Sequence, residues 1–218
     1  MKRTLFAAVA TLPLMFSAHT ADALQFSFAD IDGAGQGPAF ASQVTVDSVT
    51  AGAGQVGFKI TSATLGSGDI FGLIEQVNFD DSSNLLGDFD SFIPTNAVDF
   101  EVSLKNLPQG NNVSFNSTDG FQAKPPPAGR NANSIRPGDM LTIVFALAAG
   151  ISLADIDLAL GNGDLRLGIH VISFDDGSSD TLVTGTSTVT PVPLPATLPL
   201  LLGALAFVGF FCRRSRTG

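Results

Sequence analysis

The chain has no tryptophan, no tyrosine, one cysteine and two histidines. Each shortage removes a class of chemistry. The single thiol, Cys212, can form no intrachain disulfide and no cysteine-based metal site. One histidine, His19, falls in an N-terminal leader described below, which leaves His170. Serine-type catalysis would need that one imidazole beside a nucleophile, and no Gly-x-Ser-x-Gly motif supplies one. A glycosidase would need two carboxyls in a cleft and an aromatic sugar platform, which here could only be phenylalanine. Lys and Arg number 11 against 20 Asp and Glu, a formal charge of −9. With no basic run in the middle of the chain, nucleic acid is a poor partner, because phosphate neutralisation needs clustered cations.

Apolar side chains make up 44% of the 218 residues, enough for one folded domain with tails. The two ends read as tails. Residues 1–23 have the order of a secretory signal: Lys2 and Arg3, an apolar run over 4–16, then Ala21-Asp22-Ala23. The small residues Ala21 and Ala23 place cleavage before Leu24, so export through a secretion translocon is expected. Residues 191–218 have three parts. A proline-rich stretch cannot be helical inside and should be extended. An uncharged apolar segment, 196–212, would be about 25 Å long as a helix, enough for a thin bilayer. Arg213, Arg214 and Arg216 then form a basic stop over 213–216, which should stay cytoplasmic and leave the bulk of the chain outside. Cys212 reads as a small apolar residue at that helix end.

Motif, spanning helix and basic stop in this order follow the logic of a processed sorting signal. Val192-Pro193-Leu194-Pro195-Ala196, the segment after it and Arg213-Arg214 resemble the VPLPA variant of the PEP-CTERM sorting domain, whose usual form has Glu in place of Leu194. The resemblance implies an exported protein of a Gram-negative bacterium that also makes exopolysaccharide. It implies a transient stay in the inner membrane and processing by an exosortase, a membrane-embedded cysteine transpeptidase.

Removing both ends leaves residues 24–190, with six basic against nineteen acidic side chains, a formal charge of −13. Period-2 alternation over 43–49, 55–60 and 97–104 puts apolar side chains on one sheet face and polar ones on the other. Branched and aromatic residues mark further strands over 70–79, 140–147, 165–174 and 181–189, and 25–29 opens the set. Gly, Asn, Asp and Ser clusters at 66–69, 80–84, 161–164 and 175–179 separate them. Seven or eight such strands predict an all-β fold, an antiparallel β-sandwich with a jelly roll as one form of it. One short helix is expected where Ser152 and Asp155 have capping-box spacing, Ile156, Leu158, Ala159 and Leu160 follow, and Gly161 supplies the stop. Residues 115–137, with their run of prolines, are expected to be irregular. The segments 154–160 and 163–171, and 74–80 with 85–87, resemble the recurrent β-rich part of small PEP-CTERM exported proteins, which implies topology and export but no chemistry.

No catalytic residue and no cofactor are expected. Arg166, Gly168 and His170 share one face of a strand, where a structural histidine is the simpler reading. Paired carboxylates occur at Asp30/Asp32, Asp80/Asp81, Asp88/Asp90, Asp155/Asp157 and Asp175/Asp176. Calcium is the ion that suits such hard oxygen ligands, with Asp30 and Asp32 in one loop and Asp175, Asp176 and Asp180 in another as its candidates. Neither loop has EF-hand spacing, and ordinary Asp-Gly turns are the competing reading. Two sequons, at Asn112 and Asn116, are read as chance, and the thirteen phenylalanines of 24–190 as core. The expectation is an exported, non-enzymatic surface or extracellular-matrix protein. A carbohydrate-binding module of the exopolysaccharide matrix is the alternative, and a hydrolase stands behind it.

Overall fold

The computed structural model describes residues 25–31, 33, 35–125 and 133–184. The signal, the sorting motif, the membrane segment, the basic stop and Asp32 lie outside them. Among the described residues no helix is long and apolar enough to cross a membrane.

The described chain is mostly antiparallel sheet. Its strands are β1 (Gln25–Asp30), β2 (Val44–Gly52), β3 (Gln55–Ser62), β4 (Leu73–Asp80), β5 (Leu86–Pro94), β6 (Phe100–Val102), β7 (Asp119–Ala123), β8 (Met140–Leu147), β9 (Arg166–Ile172) and β10 (Asp180–Thr184). They lie in the order β5-β8-β3-β2-β1-β10-β9-β4-β7-β6. β1 serves two neighbours in turn: Gln25 to Ser27 pair with β2, and Phe28 to Asp30 pair with β10. The sheet bends there, and its two ends approach each other, close to a barrel.

Phenylalanine fills the space between them. Phe58 of β3 meets Phe79 of β4 edge-on at 5.0 Å, and Phe79 meets Phe145 of β8 at 4.9 Å. Phe89 of β5 and Phe121 of β7 are 5.0 Å apart. Each fully buried ring contributes about 1.5–3 kcal/mol by leaving water, and a tilted ring pair roughly 0.5–1.5 more. A ring without a polar atom asks for no hydrogen bond, which is why phenylalanine rather than tyrosine suits this interior. Period-2 alternation delivers the rings: Val56, Phe58 and Ile60 are fully buried, while Lys59 between them pairs outward with Asp47 at 2.8 Å.

Helix α2 (Leu153–Asn162) forms where its capping box predicts. Asp155 N donates to Ser152 Oγ at 3.4 Å, and Ser152 N donates back to Asp155 Oδ2 at 2.8 Å. The helix ends at Gly163, with φ at 85°, rather than at Gly161. A second helix, the single turn α1 (Gly37–Ala41), is not evident in the sequence. It drops Phe40 into the core against Phe174, ring centres 5.5 Å apart.

Two strands depart from expectation. β5 was not marked because its pairing with β8 shifts register between Leu86 and Phe89 and again between Phe89 and Ser91, which erases period-2 alternation. β7 lies inside the stretch read as irregular, and its Gly120 hides the strand signal. Conversely, the strand expected over 97–104 shrinks to β6: Val98 and Phe100 are buried, but Val102 and Leu104 are exposed.

The registers also fix which loops share an end of the molecule. Phe28 is the partner of Thr184, so both described ends of the chain leave at one pole. The connections 81–85, 103–118 and 148–165 lie at that same pole. α1 and the loops 63–72 and 173–179 lie at the other.

Candidate functional site

The acids proposed for calcium separate into two groups. Asp30 ends β1 and Asp180 starts β10, and both carboxyl groups lie against Gly37 at the start of α1. A Cβ at residue 37 would overlap Asp180 Oδ2 and stand 3.0 Å from Asp30 Cγ. Asp180 is buried, and its Oδ1 accepts from Thr181 N at 2.7 Å. Asp175 and Asp176 do not join this pair. Asp176 Oδ1 accepts from Ser178 N at 2.9 Å and from Ser178 Oγ at 2.5 Å, and these bonds hold its carboxyl below the usual carboxylate range. Asp175 Oδ2 accepts from Phe71 N at 3.5 Å. Among the described residues no three His, Cys, Asp or Glu side chains gather as a metal site.

Carboxylates of the other pairs serve the fold. Asp81 accepts from Leu85 N at 3.0 Å and Leu86 N at 2.8 Å, closing the turn into β5. Asp157 accepts from Ser48 Oγ, tying α2 to β2, and burial raises its carboxyl above the ordinary value despite that bond. Burial likewise raises Asp119.

The outer face of β4, β9 and β10 carries the remaining polar candidates. Arg166, Gly168 and His170 share this face as alternation predicts, opposite Asp80, Asn78 and Gln76. His170 Nδ1 lies 3.3 Å from Thr181 Oγ1. Burial lowers the imidazole's affinity for a proton, against a raising influence from Glu75 and the Asp180 backbone. Thr181 is buried, so this pair presents no open nucleophile. A strap, residues 103–118, crosses the face. Gln76 Nε2 donates to the carbonyls of Lys105 (3.2 Å) and Asn106 (3.1 Å), and Asn78 Nδ2 donates to Lys105 O (2.8 Å) and Ser117 Oγ (3.1 Å). Leu107 and Phe115 pack beneath it with Val183. Gly168 lets the strap lie close, because a Cβ there would overlap Leu107 Cδ2 and force that side chain to shift. Arg166 pins the strap: its guanidinium pairs with the buried Asp80 and donates to Val113 O (2.9 Å) and Ser114 O (2.6 Å). Both sequons lie in the strap; Thr118 Oγ1, the hydroxyl of the second, donates to Phe79 O, and Ser117 Oγ beside it accepts from Asn78.

An open cavity of about 230 Å³ lies between the 81–85 turn and α2. Leu85, Ile151 and Ala159, the less exposed part of the lining, give it an apolar floor, and the exposed Leu158, Asp155, Asp164, Asn162 and Ser83 form the rim. It does not include His170. Of the apolar residues that follow the cap, Ile156, Ala159 and Leu160 face inward at helical spacing and Leu158 is exposed.

No protein-family model, no curated protein and no solved structure matches this chain.

Proposed function

We propose that the chain is an exported, non-enzymatic surface or extracellular-matrix protein, sorted through its C-terminal tail. The observation that carries this reading is the order of Val192-Pro193-Leu194-Pro195-Ala196, an uncharged segment and Arg213, Arg214 and Arg216, together with Lys2-Arg3, the apolar run over 4–16 and Ala21-Asp22-Ala23, which are read as a leader. Under this reading the secretion translocon exports the chain and the tail holds it briefly in the inner membrane. An exosortase-type transpeptidase then acts on the tail, and the domain passes to the cell surface or the exopolysaccharide matrix. The fold suits that role. With both described ends at one pole, a domain held by its tail turns the pole of α1 outward. The two halves of the sheet, joined through β1, are read as a sandwich. The pairings β1·β10, β3·β8 and β4·β7 nest first with last, in the manner of a jelly roll.

The carbohydrate-binding alternative asked for phenylalanines exposed along a groove. Among the described residues the exposed large hydrophobics are Leu65, Ile93, Val102, Leu104, Met140 and Leu158, with no phenylalanine. Nothing favours a bound sugar over a matrix role.

The test is Pro193→Ala with Pro195→Ala in the native host. The double variant should accumulate in the membrane fraction with its tail intact by mass spectrometry. An unchanged surface or secreted fraction would remove the sorting reading.

A further inference from the structure

We propose that the cavity between the 81–85 turn and α2 is a docking site for one arginine or lysine side chain of a partner protein. The proposal stands on the cavity alone and is independent of the tail. Its volume, about 230 Å³, is below the roughly 300–1,000 Å³ of small-molecule pockets, so it fits a single side chain better than a whole ligand. The floor is apolar and the rim is acidic. Leu158 stands 67% exposed on the lip, the most exposed large apolar side chain of α2, and the domain leaves it uncovered.

Both ionisable groups of the lining, Asp155 and Asp164, carry the same sign. Hydrogen bonds from Ser152 favour the charged form of Asp155, and Asn162 Nδ2 donates to Asp164 Oδ2 at 2.7 Å. Among the described residues no cation lines the cavity to balance them. The nearest basic residue in the sequence, Arg166, is committed to Asp80 and the strap carbonyls. Arginine and lysine have the complementary build: methylenes that cover apolar surface and a charged head that reaches past it. Their stems would lie on Leu158, Leu85 and Ile151, and their heads would meet Asp164, with Asp155 adding to the negative charge of the rim. A simple metal cation would use the acids but leave the apolar floor uncovered, and an apolar side chain would do the reverse.

The probe is Nα-acetyl-arginine amide, titrated into the purified full-length protein with methyl-labelled leucine and isoleucine. Guanidinium chloride serves as a cation without a stem, and sodium chloride holds ionic strength constant. Saturable shifts are expected at the Leu158, Leu85 and Ile151 methyls, with guanidinium at least fivefold weaker. Leu158→Ser and Asp164→Asn change exposed side chains, and each should weaken the arginine probe at least fivefold. Absent or unsaturable shifts would overturn the proposal. So would equal binding of guanidinium, or affinities unchanged in both variants, because these are the marks of diffuse attraction to an acidic domain.

Discussion

The carboxyl groups of Asp30 and Asp180 both crowd the hydrogen side of the Gly37 α carbon, joining the end of β1, the start of β10 and the start of α1. Two of these residues come from loops that look unrelated in the sequence, and the glycine is what lets the helix approach them. Gly37→Ala should therefore cost about 1–3 kcal/mol, the usual penalty for forcing a group into filled space. Denaturant unfolding measures it. A variant as stable as the parent would mean that the Asp180 carboxylate can swing clear.

Calcium binding is tested by the same group of residues. Calcium takes six to eight oxygens, and among the described residues only Asp30 and Asp180 of the candidate acids meet. Calcium and sodium at matched ionic strength should thus raise the melting temperature equally, by screening a domain of net charge −13. Asp175→Asn with Asp176→Asn should not alter the response to calcium, since those carboxylates lie in a different turn. A shift seen only with calcium and lost in Asp30→Asn would establish a site that includes atoms beyond these two.

Arg166 is expected to be among the most sensitive polar positions. Replacing it with alanine leaves the buried Asp80 without its cation and frees the strap at Val113 and Ser114. Breaking one side of a buried pair costs roughly 3–5 kcal/mol. Arg166→Lys keeps the charge but cannot reach Asp80 and two carbonyls at once, so it should recover only part of the loss. Hydrogen exchange should show the damage concentrated in residues 103–118.

His170 gives a pH dependence of definite sign. Burial lowers its folded-state pKa below the ordinary 6.5. The unfolded chain then binds the proton more readily, so the contribution of His170 to stability is complete above 6.5 and falls as pH drops through that value toward the folded one. His170→Gln should flatten this segment of the stability–pH curve and leave folding and localisation intact. Loss of a hydrolytic activity in a well-folded His170→Gln protein would argue for an enzyme.

Much of the sheet was legible because burial on one face imposes alternation, which β2 and β3 keep, and because a strand buried on both sides, such as β8, is a run of branched and aromatic residues. The capping box of α2 was legible because its two hydrogen bonds join residues three apart. β5 was not, since each register shift moves the next side chain to the other face. Nor was the strap, whose hold on Gln76, Asn78 and Arg166 depends on contacts dozens of residues apart in the chain. Among the candidate acids, turn chemistry accounts for Asp81 and Asp176 by local bonds. The meeting of Asp30 with Asp180 required the β1·β10 pairing, which composition and spacing do not encode.

The position of β10 has a mechanical consequence. A pull on the residues after Thr184 enters the fold through this strand, which lies inside the sheet between β1 and β9. Both neighbours run antiparallel to it, and their hydrogen bonds lie across its axis. Load applied between that end and the pole of α1 acts along the strand, so the bonds on both flanks are strained together in shear. Load applied between Gln25 and Thr184 instead draws β1 and β10 apart from one end and opens their bonds one after another. The fold is therefore stiff toward load on the pole of α1 and weak toward separation of its two described ends.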